Sequence, residues 1–277
     1  YGLTAPSHVT PEEVAGLEGD PVAGEAVFWA GGCASCHAAP DAEGEDRLIL
    51  SGGRSLSSDF GTFLSPNISP DPTHGIGGWT LAEFITAMQN GISPEGRHYY
   101  PAFPYTSYRL ASRQDMADLF AYLRTLPASD APSRPHQVGF PVTLTRGIGL
   151  WNRLHLQDDF VVTGDLTEQQ ARGRYLSDAL AHCAECHTPR DATGGLDRTR
   201  WMAGAPNPTG RGTIPGLTPD DLTWSVEEIA AYLNDGFAPD FDTAGGQMAD
   251  VVLNMARLTP EDRLAIAAYL KALPVPE

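Results

Sequence analysis

The sequence predicts a mainly α protein built as two tandem copies of one small helical unit. Three observations predict it. Segments of the first half recur in the second at a nearly constant spacing. "GWTLAEFITAMQNGISPEG" (78–96) returns as "TWSVEEIAAYLNDGFAPDF" (223–241), 145 residues later, and "AYLRTLP" (121–127) returns as "AYLKALP" (268–274), 147 later. These segments carry the helical period and helix-capping residues, while strand-type alternation is nearly absent. Finally, all four cysteines lie in two short runs of the same form, "CASCH" and "CAECH", offset by 150 residues. Self-similarity at a fixed period marks a duplicated structural unit, and 277 residues comfortably make two domains.

Each copy follows one plan. A helix precedes the cysteine run: "PVAGEAVFWAGG" in the first copy and "LTEQQARGRYLSDALAH" in the second. Thr167 with Gln170 gives the latter a capping-box start. A loop rich in Gly and Pro follows. The next helix opens at Thr80 or Ser225 as N-cap, has acids in its first turn and closes at Gly91 or Gly236. Trp79 and Trp224 stand one residue before those caps, as packing residues. A last amphipathic helix starts after Ser112 or Thr259 and stops at the "LP" pair, with Leu264, Ala267, Ala268 and Leu270 at helical spacing in the second copy. The expected domains are residues 1–127 and 166–277. Residues 128–165 form a linker too apolar for free coil, expected to wrap over both domains.

The cysteine runs decide the chemistry. A CxxC pair in a redox enzyme needs a βαβ setting, and these flanks read as helical. Four cysteines can hold zinc, but the pairs stand 150 residues apart without knuckle-like turns. The remaining reading is CxxCH as the attachment signature of c-type haem. Cys33 and Cys36 would bond one haem covalently, Cys183 and Cys186 a second, with His37 and His187 as proximal iron ligands. Haem c is attached outside the energy-transducing membrane, so a periplasmic, exported protein is expected. The start "YGLTAPSHVTPEEV" has neither a basic nor an apolar leader region and reads as a mature end. No run approaches the roughly 18–20 apolar residues of a membrane span; an anchor outside this sequence is compatible with that. Thirty-five acids against eighteen bases give a formal charge of −17. That argues against nucleic acid as a partner and favours one with a basic docking patch.

Helices packed around one haem, in two copies, are the plan of class I cytochrome c domains. "FGTFLSPNISPDPTHGIGGWT", "GRHYYPAFPYTSY" and "GGQMADVV…LTPEDRLAIAAYL" narrow the resemblance. Across nearly the whole chain these resemble the dihaem cytochromes c that accompany periplasmic alcohol, aldehyde and related dehydrogenases. The resemblance implies electron transfer from a dehydrogenase to a quinone, small cytochrome or terminal oxidase.

The sixth iron ligand separates an electron carrier from a haem that binds substrate. In the second domain Met248 is expected, in a loop whose Gly245 and Gly246 permit close approach; it matches the family's GG-x-M segment. Met255 and Met202 are its rivals. The corresponding position of the first domain is Phe103, in "YPAFPY", where relatives often carry methionine. A phenyl ring cannot ligate iron. Candidates there are His98, five residues earlier, an open or water-bound iron, Tyr100, and the loop and linker histidines His74, His136 and His155; Met88 and Met116 align with helix positions, and His8 reads as surface. Arg54 and Arg190 are candidate partners of haem propionates. Asn67 reads as a turn residue that fixes the haem loop. The alternative to an electron carrier is a dihaem oxidoreductase, thiosulfate dehydrogenase-like or peroxidase-like, with the first haem catalytic.

Overall fold

A computed structural model of the chain describes residues 2–208 and 212–275. The chain divides into two compact units. The first holds the residues up to Phe28 together with Cys33–Leu156, and the second holds Trp29–Gly32 and the described residues from Gln157 onward.

The first unit takes α1 (Pro21–Ala30) as far as Phe28 and then α2 (Cys33–His37), a single turn that carries the first cysteine run. A small sheet follows, in the order β1 (Ser55–Ser58), β2 (Gly61–Leu64), β3 (Gln137–Val138), antiparallel throughout. Then come α3 (Leu81–Asn90), the short α4 (Tyr105–Tyr108), α5 (Arg113–Leu123) and α6 (Arg146–His155). The start and stop signals of α3 act as their chemistry dictates. Thr80 Oγ1 accepts from the Glu83 N–H at 3.2 Å while Glu83 Oε2 accepts from the Thr80 N–H at 2.8 Å. Gly91 closes the helix in the left-handed conformation, φ 63°. The Phe84 and Phe120 rings stack at 4.8 Å to join α3 to α5. Phe28, Leu50, Ile85, Ile92, Tyr105, Met116 and Leu119 form the fully buried core.

The second unit repeats the plan. It has α7 (Glu168–Arg174), continued by a π-helical turn over Tyr175–Leu180, then α8 (Ala184–His187), a two-stranded β4 (Ala205–Pro206) and β5 (Thr213–Ile214), α9 (Val226–Asp235), α10 (Gln247–Met255) and α11 (Pro260–Leu270). Ser225 and Glu228 make the same reciprocal cap, at 3.2 and 2.8 Å, and Gly236 the same left-handed stop. Thr167 and Gln170 cap α7 as a third such box.

One device locks the first helix of each repeat onto the last helix of that repeat, α5 in the first and α11 in the second. Gly24 lies so close to α5 that a β-carbon there would collide with the Asp118 carbonyl and come within 2.8 Å of Tyr122 Cβ. Gly173 meets the Ala265 carbonyl and Tyr269 Cβ of α11 in the same way. Only glycine permits so close a crossing.

Three features depart from the expectations. Residues 55–64 and 137–138 form a sheet where no strand was expected. Met248 belongs to the first turn of a helix, α10, rather than to a loop; Gly246, with φ 56° and ψ −136°, is its N-cap. The linker expected over 128–165 also divides, with residues to Leu156 in the first unit and those from Gln157 in the second. Its first part is bound into the first unit by polar contacts. Asn67 Nδ2 donates to the Ser129 and Ala131 carbonyls, both at 2.8 Å. Arg134 donates to the Gly53 carbonyl at 2.8 Å, and the Leu64 N–H donates to His136 Nδ1 at 3.0 Å. Among the described residues no helix is long and apolar enough to cross a membrane.

Candidate haem sites

Each cysteine run is a helical turn packed into the core. Cys33 is buried, Cys36 and Cys183 half-buried, Cys186 exposed, and none of the four forms a disulfide. Among the described residues, no three His, Cys, Asp or Glu side chains gather as a metal cage, so the two pairs do not form one zinc site. Burial pushes the Cys33 and Cys183 thiols up to about 12.

The histidine that ends each run is held the same way in both units. His37 Nδ1 lies 2.9 Å from the Pro66 carbonyl, and His187 Nδ1 lies 2.8 Å from the Pro215 carbonyl. A carbonyl only accepts, so Nδ1 carries the proton and Nε2 keeps its lone pair, the tautomer that binds iron. Burial lowers both pKa values against the pull of those hydrogen bonds, which keeps the rings neutral. Two thiols on one helical turn and a neutral imidazole with fixed orientation suit a covalently attached haem, whose iron that imidazole would hold. Pro66 and Pro215 were not singled out from the sequence, because a backbone carbonyl leaves no side-chain signature. The signal available was their shared place, 29 and 28 residues after the two histidines.

The two arginines converge on one function from different positions. Arg54 Nη1 donates to the Ser35 carbonyl, inside the first CxxCH turn. Arg190 Nη2 donates to the Glu185 carbonyl at 3.2 Å and pairs with Glu185 Oε2 at 2.7 Å, inside the second. Ser35 and Glu185 are equivalent residues of the two runs, so each arginine clasps the same turn.

A model of the family described as cytochrome c matches residues 21–127 and again 170–274. The chain belongs to the cytochrome c family. It is 58% identical over 275 residues to a diheme cytochrome c-type protein of Cereibacter sphaeroides, covering 99% of this chain and 93% of that one. It is 35% identical to the fructose dehydrogenase cytochrome subunit of Gluconobacter japonicus and 34% identical to the cytochrome c subunit of the quinone alcohol dehydrogenase of Gluconacetobacter polyoxogenes, over 91% of this chain in each case. It spans only 52% and 55% of those two proteins. The fold is thus two tandem cytochrome c domains, each binding one haem c covalently, and the protein is an electron-transfer cytochrome.

At the positions weighed for the sixth ligand the two cytochrome domains differ. In the second, Met248 is half-buried at the start of α10, while Met202 and Met255 are buried in the core. In the first, the Phe103 ring sits among aromatic rings, 6.0 Å from Tyr99, 6.1 Å from Tyr105 and 5.8 Å from Tyr108. His98 Nε2 lies 3.1 Å from the Thr4 carbonyl, and its Nδ1 is buried with no hydrogen-bond partner. The other candidates serve elsewhere. Tyr100 donates to the Val142 carbonyl at 3.1 Å, His136 accepts from Leu64, and the His155 ring packs on Trp151 at 4.6 Å. The His74 N–H donates to Asp71 Oδ1 at 2.7 Å and closes a turn that Asp71 starts, and Met88 and Met116 are buried on α3 and α5.

Proposed function

We propose that this protein is a periplasmic carrier that takes electrons from a dehydrogenase, passes them between its two haems and delivers them to a quinone, small cytochrome or terminal oxidase. The observation that carries this reading is the matched pair of CxxCH turns, each ending in a histidine whose Nδ1 is held by a proline carbonyl. The dehydrogenase cytochrome subunits among its relatives support the donor. Attachment of haem c outside the membrane supports the compartment. The charge of −17 suits a partner with a basic docking face.

Met248 is proposed as sixth ligand of the second haem, where a thioether raises the potential. His98 is proposed for the first. The Thr4 carbonyl requires Nε2 to carry its proton, so the buried, unpartnered Nδ1 keeps a lone pair for iron. Two unequal ligand sets give two unequal potentials. A second reading rests on Phe103: with no thioether at that position, an open first iron would make this domain a catalytic site. EPR of the oxidised holoprotein separates the two. Two low-spin haems, indifferent to cyanide and titrating at two potentials, support the carrier. A high-spin haem that binds cyanide rapidly supports the oxidoreductase and overturns the assignment of His98.

A further inference from the structure

The repeat changes register inside the second domain. Gly173 lies 149 residues after Gly24, whereas Cys183 lies 150 after Cys33. One residue has been added between them, and the π-helical turn at Tyr175–Leu180 absorbs it. Such turns accommodate a single extra residue and are frequent at functional sites.

The insertion coincides with a change of chemistry opposite the tyrosine of the last helix. In the first domain that tyrosine, Tyr122, packs on the Phe28 ring at 5.2 Å. In the second, Tyr269 donates instead to Asp178 Oδ2 at 2.8 Å. Asp178 is 2% exposed, and its Oδ1 has no partner. The two cations that face it are engaged elsewhere. Arg174 donates to the Val162 carbonyl at 2.7 Å and lies over the Phe160 ring at 4.4 Å; Arg198 donates to the Asp159 carbonyl at 3.1 Å. Arg174 Nε and Ser177 Oγ are buried nearby without partners. A buried carboxylate with one neutral donor and no ion pair is costly, so the site favours the protonated acid. Burial pushes the Asp178 carboxyl up to about 7, against the Tyr269 hydrogen bond and the attraction of Arg174 and Arg198. It stands five residues before Cys183, and its charge is felt at that sulfur, the attachment point of the haem.

We propose that Asp178 is a proton site coupled to the second haem. When an electron enters the iron, the carboxyl takes one proton from solvent; when the electron leaves, the proton returns. The charge of the oxidised iron favours the carboxylate, and its loss on reduction favours the acid. This rests on the electron-transfer reading. The first domain, with Phe28 in the corresponding place, lacks the site.

The test is a spectroelectrochemical titration of the holoprotein between pH 5 and 9. At a fixed electrode potential, the reduced-to-oxidised ratio of one haem falls with rising pH, by up to tenfold per unit, as one proton per electron requires. Asp178→Asn, which mimics the protonated acid, abolishes that dependence. Tyr269→Phe removes the donor to the carboxylate and moves the dependence to higher pH. A reduced-minus-oxidised infrared difference spectrum of the unaltered protein shows a protonated carboxyl C=O stretch on reduction, so the proposal remains testable if the Asn variant does not fold. Reversible waves that ignore pH, a pH dependence that survives in Asp178→Asn, or an infrared difference without that band overturns it. A protein whose haems do not cycle reversibly refutes the electron-transfer reading instead.

Discussion

Replacing Gly24 by alanine tests the helix crossing that holds the first cytochrome domain together. The added β-carbon would meet the Asp118 carbonyl and stand 2.8 Å from Tyr122 Cβ, about 1 Å inside ordinary contact. The obstacle is backbone, so α1 must move away from α5. Overpacking of this kind costs about 1–3 kcal/mol, and a backbone clash belongs at the upper end. Alanine returns up to about 1 kcal/mol of helix propensity. The net loss is about 2 kcal/mol, or roughly 8 °C in the melting of a domain this size. Circular dichroism of the holoprotein during thermal unfolding measures it, with Gly173→Ala as the matching change in the second domain. Gly147→Ala is the control: it lies within α6, nothing stands within 4 Å of its would-be β-carbon, and it should stabilise by about 0.5–1 kcal/mol. A Gly24→Ala protein as stable as the original would refute the reasoning, because the close crossing would then not constrain the fold.

Further outcomes follow from the same geometry. Thr80→Ala or Ser225→Ala removes one half of a capping box and should cost about 1 kcal/mol in denaturant unfolding. Replacing Cys183 and Cys186 together by alanine should leave one covalent haem per chain instead of two by intact mass; two retained haems would contradict the attachment sites. The buried Asp178 gives the second domain an inverted acid response. Its carboxyl titrates at about 7 when folded and near 3.8 when unfolded, so its contribution is complete below 3.8 and is lost as pH rises toward about 7. The full difference is about 4 kcal/mol at 1.36 kcal/mol per unit, of which the step from pH 5 to pH 8 carries about 2.6 kcal/mol. Chemical denaturation at pH 5 and pH 8 should show it, with Asp178→Asn removing the difference.

Much of this was legible in the sequence because its signals are local. Thr80, Glu83 and Gly91 spell a helix start and stop without reference to the rest of the chain, and Ser225, Glu228 and Gly236 repeat them. CxxCH states its chemistry within five residues. Backbone-mediated contacts were not legible: any residue at positions 66 and 215 offers the same carbonyl to the histidine. Nor was the sheet, since "SLSS" and "GTFL" are short and lack alternation, and the second also pairs with a strand more than seventy residues away. Asn67 was recognisable as a turn former, but its second task, gripping the carbonyls of residues 129 and 131, depends on tertiary folding. The π-helical turn did leave a trace, the step in repeat spacing from 149 to 150.

That grip fixes where the gene can be divided. A first-domain fragment ended at Pro127, after its last core helix, would keep α1 to α5 but lose the acceptors of the Asn67 amide, the strand paired with β2 and the ring packed 5.5 Å from Phe63. It would also lose Asn152, which accepts from the fully buried Tyr105 hydroxyl at 2.7 Å. Cutting after Leu156 keeps all of these. The smallest transferable single-haem module from this half therefore carries about thirty residues that belong to neither haem motif nor helical repeat.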